Sequence, residues 1–204
     1  NVSVIFGDGA AAVVLQPTED KERGILSTHL HSDGESAEIL AMYNPGTHAN
    51  YWMEQEFAHF DDAEIGQMFM SHAMIENAQN FPNMDGPAVF KKAVVKFPEV
   101  IMEALDYNGY KPSDIDLLIP HQANLRIAQF VQQKLGLSND KVFNNIEKYG
   151  NTSSVSIPLT IVSELKDKLS DHKRLLLSGF GVGLTWGTAI IDVENCYIGE
   201  VVEV

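Results

Sequence analysis

Hydrophobic and polar positions change period several times along this chain, and each change predicts an element. From Val2 to Gln16, β-branched and small apolar residues flank Gly7-Asp8-Gly9-Ala10-Ala11-Ala12. This predicts two short strands about a tight turn, with alanines that permit close packing. Gly24 to Leu30 predicts another strand, on which His29 and His31 share one face because side chains alternate. From Met84 the period lengthens to that of a helix. Asp85 is placed to cap it, Pro87 is tolerated in its first turn, and Phe90, Ala93, Val94, Phe97, Ile101 and Leu105 fall on one face. Pro98 predicts a bend or break near Val94.

The apolar run Ile115 to Ile119 reads as a buried strand, and Pro120-His121-Gln122-Ala123-Asn124 follows as a polar turn. A helix from Asn124 to Leu135 turns Ile127, Phe130, Val131 and Leu135 inward and stops at Gly136. Lys141 to Ile146 predicts a strand, Tyr149-Gly150-Asn151-Thr152-Ser153 a turn, and Val155, Leu159, Val162, Leu165 and Leu169 a helical face that tolerates Pro158. Leu175-Leu176-Leu177-Ser178 and the β-rich run from Leu184 to Val193 are two more strands. Gly179-Phe180-Gly181-Val182-Gly183 therefore lies between strands. A dinucleotide fingerprint must open a helix, so this run is not one. Strands alternating with helices predict an α/β fold, in which strand-to-helix corners at the carboxyl end of the sheet carry sites. His121 and Asn151 stand at two such corners.

A neutral imidazole and a carboxamide that converge can stabilise an oxygen as it gains negative charge, since both offer N–H groups. Taken singly, the same residues fit a structural capping histidine and an ordinary turn asparagine beside Gly150. Their sequence surroundings add to this. Pro120 to Ile127, Gly150-Asn151-Thr152-Ser153 and Gly179 to Gly187 resemble, in order, the active-site signatures of 3-oxoacyl-acyl-carrier-protein synthase III, the ketoacyl synthase that starts fatty-acid chains. Phe6 to Ala12 and Gly24 to Gly34 match the same family's pattern in register.

The resemblance implies the carboxyl-terminal half of a thiolase-like fold over residues 1–204, with a mixed five-stranded sheet and helices on both faces. It places the nucleophilic Cys in an amino-terminal half that precedes this sequence. Cys196, after the Gly-rich loop, is in the wrong place for that role and reads as an ordinary free thiol in a reducing, cytoplasmic compartment. By resemblance His121 and Asn151 hydrogen-bond the thioester oxygen of malonyl carrier protein, and the Val182 backbone N–H is one arm of an oxyanion hole. Many members carry Gly at that position, so Val182 must hold a negative φ. Met84, Gly86, Phe90, Ala123, Asn124 and Arg126 are implied to flank the tunnel that holds the pantetheine arm. The reaction implied is decarboxylative Claisen condensation of an acyl-CoA primer with malonyl carrier protein, with no cofactor beyond the coenzyme A thioester substrate and no metal. This chain without the Cys is expected to be inactive. A related condensing enzyme of a polyketide or aryl-polyene pathway shares every motif, and a non-catalytic partner subunit is the alternative outside enzymes.

Charge changes the picture of partners. With 14 basic and 28 acidic residues the net charge is -14, which argues against nucleic acid and anionic membranes. Carrier proteins are acidic too, so docking one needs a local basic patch, for which Lys91, Lys92, Lys96, Arg126 and Lys134 are candidates. Homodimerisation is a family expectation. Residues 44–83 depart most from the resemblance and read as a helical insertion, either packing over the core or lining the acyl pocket.

Overall fold

The computed structural model describes residues 3–42, 75, 76, 78 and 80–203. Most of the insertion predicted at 44–83 lies outside them. The strands are β1 (Gly24–Ser32), β2 (Leu40–Ala41), β3 (Asn83–Met84), β4 (Leu117–Pro120), β5 (Lys173–Gly181) and β6 (Thr185–Val193). The helices are α1 (Gly86–Asn108), α2 (Leu125–Leu135), α3 (Ile146–Tyr149) and α4 (Ser156–Glu164).

The main sheet has the order β1-β6-β5-β4; β4 and β5 are parallel and the other pairs antiparallel. Val142 makes an isolated parallel bridge to Leu118, so the fifth position of the expected sheet is filled by one residue rather than a strand. The reason lies in Gln122. Its Oε1 accepts from the N–H groups of Asn145 and Ile146, and its Nε2 donates to the carbonyl of Phe143. A buried side chain thus satisfies backbone groups that a longer strand would have paired.

The sheet is covered on both faces because its strands alternate two apolar sets. Leu118, Leu176, Phe180 and Ile190 pack with Phe97, Ile101, Ala104 and Leu105 of α1 and Val131 of α2. Leu117, Ile119 and Leu175 pack with Leu165 and Leu169, which follow α4, and with Ile157 and Ile161 within it. Each such side chain, when fully buried, contributes roughly 1.5–3 kcal/mol.

Helix α1 begins as predicted, with Asp85 Oδ1 accepting from Ala88 N–H at 3.0 Å and Pro87 in the first turn. Of the bend or break expected from Pro98 near Val94, the break does not occur; the helix is continuous over 23 residues. Buried residues on either side, Ala93 and Phe97 before it and Val100, Ile101, Ala104 and Leu105 after it, hold both halves against the sheet. That packing outweighs the hydrogen bond Pro98 cannot make. The helix predicted through Leu169 is likewise shorter, ending at Glu164, while Leu165 and Leu169 stay buried beyond it.

Edge strand β1 is joined to α1 through polar groups. His29 Nδ1 and His31 Nε2 lie 3.0 and 2.7 Å from the two carboxylate oxygens of Glu103, and Asn108 Nδ2 donates to Ser27 Oγ. Both imidazoles hold the Glu103 carboxyl below the usual carboxylate range.

The two strands expected between Val2 and Gln16 are absent. Ser3–Ile5 forms a 3₁₀ turn, Phe6 makes one bridge to Asn151, and the run to Thr18 is irregular. Among the described residues nothing else pairs with this segment, and β-prone residues without a neighbouring ladder gain little from extension. Val13, Val14 and Leu15 are exposed.

Candidate active site

Strand β4 ends at Pro120, paired with Ser178 of β5, and the His121 N–H continues the ladder by donating to the Ser178 carbonyl at 2.8 Å. The backbone of His121 is therefore part of the sheet. Its ring is largely buried, with Nδ1 2.7 Å from the Oγ of Ser156, the first residue of α4. Burial pushes the imidazole below its ordinary range, which keeps it neutral near pH 7. Gln122, 2 % exposed, also donates through Nε2 to the Pro120 carbonyl at 2.7 Å, fixing the turn that follows the strand.

Asn151 is positioned by another route. Its N–H donates to the Ile5 carbonyl at 2.9 Å, and its own carbonyl accepts from Gly7 N–H at 3.0 Å. The approach is close: a Cβ on Gly7 would lie 2.1 Å from the Tyr149 carbonyl oxygen, and Gly150 takes φ +69° beside the Ile5 carbonyl. The Gly7-Asp8-Gly9 motif is thus scaffold for the asparagine loop. Asn151 Oδ1 accepts from Ser153 N–H at 2.9 Å, with Ser153 itself at φ +57°. A non-glycine residue held there is the kind of local strain found at functional turns. With its oxygen engaged, the carboxamide presents Nδ2 as its remaining donor.

Helix α4 ties the two corners together. It starts five positions after Asn151, and its first residue holds the His121 ring. An open groove of about 640 Å³ lies over β1, β5 and β6, lined by Leu30, His31, Gly179, Gly181, Trp186 and Gly187. A Cβ at Gly179 would stand 3.8 Å from the His121 Cβ, so one glycine of the groove wall also neighbours the histidine. Gly179, Gly187 and Leu30 are aligned across β5, β6 and β1, and the two glycines leave a floor of bare backbone. At Gly187 this is obligatory, since a Cβ would meet Leu30 Cδ2 at 2.5 Å and the His29 carbonyl at 2.9 Å.

The structure places the other predicted residues on separate elements. Val182 lies in the β5–β6 turn, exposed, with its carbonyl accepting from Thr185 Oγ1; it is not among the residues with positive φ, as its β-branched side chain requires. Asn124 caps α2 by accepting from Arg126 N–H at 2.9 Å, and Ala123 stands in the turn before it. Arg126 is exposed on the first turn of α2. Met84 pairs with Leu40 in the small sheet, Gly86 opens α1, and Phe90 is half-buried four residues further along α1. Of the candidate basic patch, Lys92 is paired with Asp33 and Lys96 with Glu99, while Lys134 lies over the Phe130 ring.

Sequence reading missed the roles of three residues. Ser156 and Thr160, both buried, are polar positions four apart on the inner side of a helix, and that spacing was the available signal. Gln122 sat inside the recognised turn, but its five hydrogen bonds could not be read from its position.

Comparison with known proteins bears on this geometry. The family described as 3-oxoacyl-[acyl-carrier-protein (ACP)] synthase III C terminal matches residues 105–193, and 3-oxoacyl-[acyl-carrier-protein (ACP)] synthase III matches residues 1–34. A beta-ketoacyl-[acyl-carrier-protein] synthase III from Coxiella burnetii (strain Dugway 5J108-111) is 38% identical over 191 residues, 93% of this chain and 51% of that protein. The corresponding protein of Roseiflexus sp. (strain RS-1) is 36% identical over 192 residues, 94% of this chain and 52% of its own length. The crystal structure of 3-oxoacyl-[acyl-carrier-protein] synthase III from Aquifex aeolicus VF5 superposes with a TM-score of 0.68 at 35% identity, covering 93% of this chain and 50% of that one. The chain spans about half the length of the curated relatives it matches. Motif order, sheet topology and these matches agree: the chain belongs to the 3-oxoacyl-[acyl-carrier-protein] synthase III family of thiolase-like proteins.

Proposed function

We propose that this chain supplies the histidine and asparagine arms of a decarboxylative condensation between an acyl group carried on a Cys of the other half and a malonyl thioester on acyl carrier protein. The acyl group comes from a coenzyme A thioester and forms an acyl-Cys intermediate. Malonyl carrier protein then binds, its carboxylate leaves as carbon dioxide, and the electron pair moves onto the thioester oxygen. His121 Nε2–H and Asn151 Nδ2–H donate to that oxygen as it becomes an enolate. The carbanion attacks the acyl carbon, whose oxygen is held by the Val182 N–H while it is an oxyanion; the carbonyl then re-forms, the carbon–sulfur bond breaks and the Cys leaves as thiolate. The thioester and pantetheine arm run past Ala123, Asn124 and Arg126 at the start of α2 and past Met84, Gly86 and Phe90 about the start of α1.

The observation that carries this reading is that both side chains are bonded at one polar atom to the protein, His121 Nδ1 to Ser156 and Asn151 Oδ1 to Ser153. Each keeps one donor, on loops joined by the start of α4. Preorganised donors of this kind each lower a barrier by about 3–4 kcal/mol.

The test is kinetic, in the full-length enzyme that contains this chain. H121A and N151A should each lower condensation by roughly 10²–10³-fold while acylation of the Cys, followed by mass spectrometry, continues. Retention of full condensation by either variant overturns the assignment. The chain alone should acylate nothing and condense nothing.

A further inference from the structure

We infer that Ser156 is a positioning residue that selects the tautomer of His121, placing the single proton of the neutral ring on Nε2. The inference rests on the reading of His121 as a hydrogen-bond donor to substrate and adds the group that makes it one. A neutral imidazole has one N–H, and which nitrogen carries it decides whether Nε2 can donate at all.

The local bonding favours one assignment. Ser156 is 1 % exposed, and its Oγ accepts from the Gln122 backbone N–H at 3.3 Å. Its remaining hydrogen-bond partner among the described residues is His121 Nδ1 at 2.7 Å. If Nδ1 were protonated, the hydroxyl oxygen would receive two donors, and its own hydrogen would be buried without an acceptor. With Nδ1 bare, Ser156 O–H donates to it, Gln122 N–H donates to Ser156, and all three groups are satisfied. The second arrangement is favoured by roughly tenfold or more. Burial keeps the ring neutral, so the tautomer rather than the charge is what Ser156 controls.

The hydroxyl is itself fixed. The Ser156 carbonyl accepts from Thr160 Oγ1 at 2.8 Å, and its N–H donates to the Ser153 carbonyl in the turn that carries Asn151. One residue therefore orients the imidazole and anchors the helix start behind the asparagine.

Long-range ¹H–¹⁵N correlation spectra of ¹⁵N-histidine-labelled protein above pH 8 test this, with H121Q identifying the His121 signals. The wild type should show the proton on Nε2 and an unprotonated, hydrogen-bonded Nδ1. S156A should move the ring to a mixture of tautomers, a shift of roughly tenfold in their ratio, and S156T, which keeps the hydroxyl, should preserve Nε2–H. In the full-length enzyme S156A should lower kcat by about tenfold with little change in KM. A wild-type proton on Nδ1 overturns the inference, as does an unchanged tautomer in S156A. Should S156A not fold, a proton on Nδ1 in S156T would overturn it equally. These spectra do not depend on catalysis, so a failure here is separable from full activity in H121A, which would overturn the functional reading instead.

Discussion

The histidine corner and the asparagine corner are linked through Ser156 and the turn before it but are built by different physics. His121 extends a parallel strand pair, its ring is desolvated, and its neighbours are side chains: Ser156 on the ring, Gln122 beneath the turn. Asn151 sits in a loop held by main-chain bonds to Ile5 and Gly7 and by glycines that allow contact where a Cβ would collide. The first corner is specified by buried polar side chains, so it should respond to their removal and to protonation. The second is specified by backbone approach, so it should respond to added atoms.

The largest effect on stability is expected at the residue beneath the histidine turn. Gln122 bonds the His121 turn on one side and the N–H groups of Asn145 and Ile146 on the other. Q122A strips partners from backbone groups that are largely buried, at a cost of roughly 2–4 kcal/mol. Denaturant unfolding measures it, and a loss under about 0.5 kcal/mol, the size of an ordinary surface change, would mean that water replaces those bonds freely.

G7A sharpens the contrast from the other side. A methyl 2.1 Å from the Tyr149 carbonyl oxygen forces the two segments apart, and such overpacking costs about 1–3 kcal/mol. Hydrogen exchange should quicken at Gly7 and Asn151, whose N–H groups make the cross-segment bonds, while the His121 ring signals stay put. Equal disturbance at both corners would show that they are a single unit.

The smallest effect is that of pH. Burial lowers the His121 pKa from about 6.5, so below that value the unfolded chain takes up a proton that the native ring refuses. Stability from this group is complete above pH 6.5 and falls as pH drops towards the lowered native pKa. H121Q should flatten that part of the stability profile, measured by unfolding midpoints at a series of pH values. An unchanged slope would mean that the ring is solvated.

Much of this arrangement was legible in the sequence because it follows from local patterns. Asp85 capping α1, Asn124 capping α2, Leu117 to Ile119 as a buried strand and the β continuation after Gly183 all depend on residues close in sequence. What escaped depends on distant partners. Val2 to Gln16 has the composition of strands, but composition does not say whether a ladder lies beside it. Val142 was expected to lead a strand, yet Gln122, over twenty residues earlier, takes the backbone groups after it. Pro98 breaks an isolated helix, whereas Ala93, Phe97, Ile101 and Leu105 hold this one against a sheet. Ser156 reads as a routine helix-start serine until His121 is seen above it.

The most direct test of the central claim is a crystal structure of this chain together with an amino-terminal half carrying the Cys, with a non-hydrolysable malonyl thioester analogue bound. The account predicts His121 Nε2 and Asn151 Nδ2 both within about 3.2 Å of the same thioester oxygen. An analogue oxygen bonded to only one of them, or the two side chains turned to opposite faces of the sheet, would contradict it.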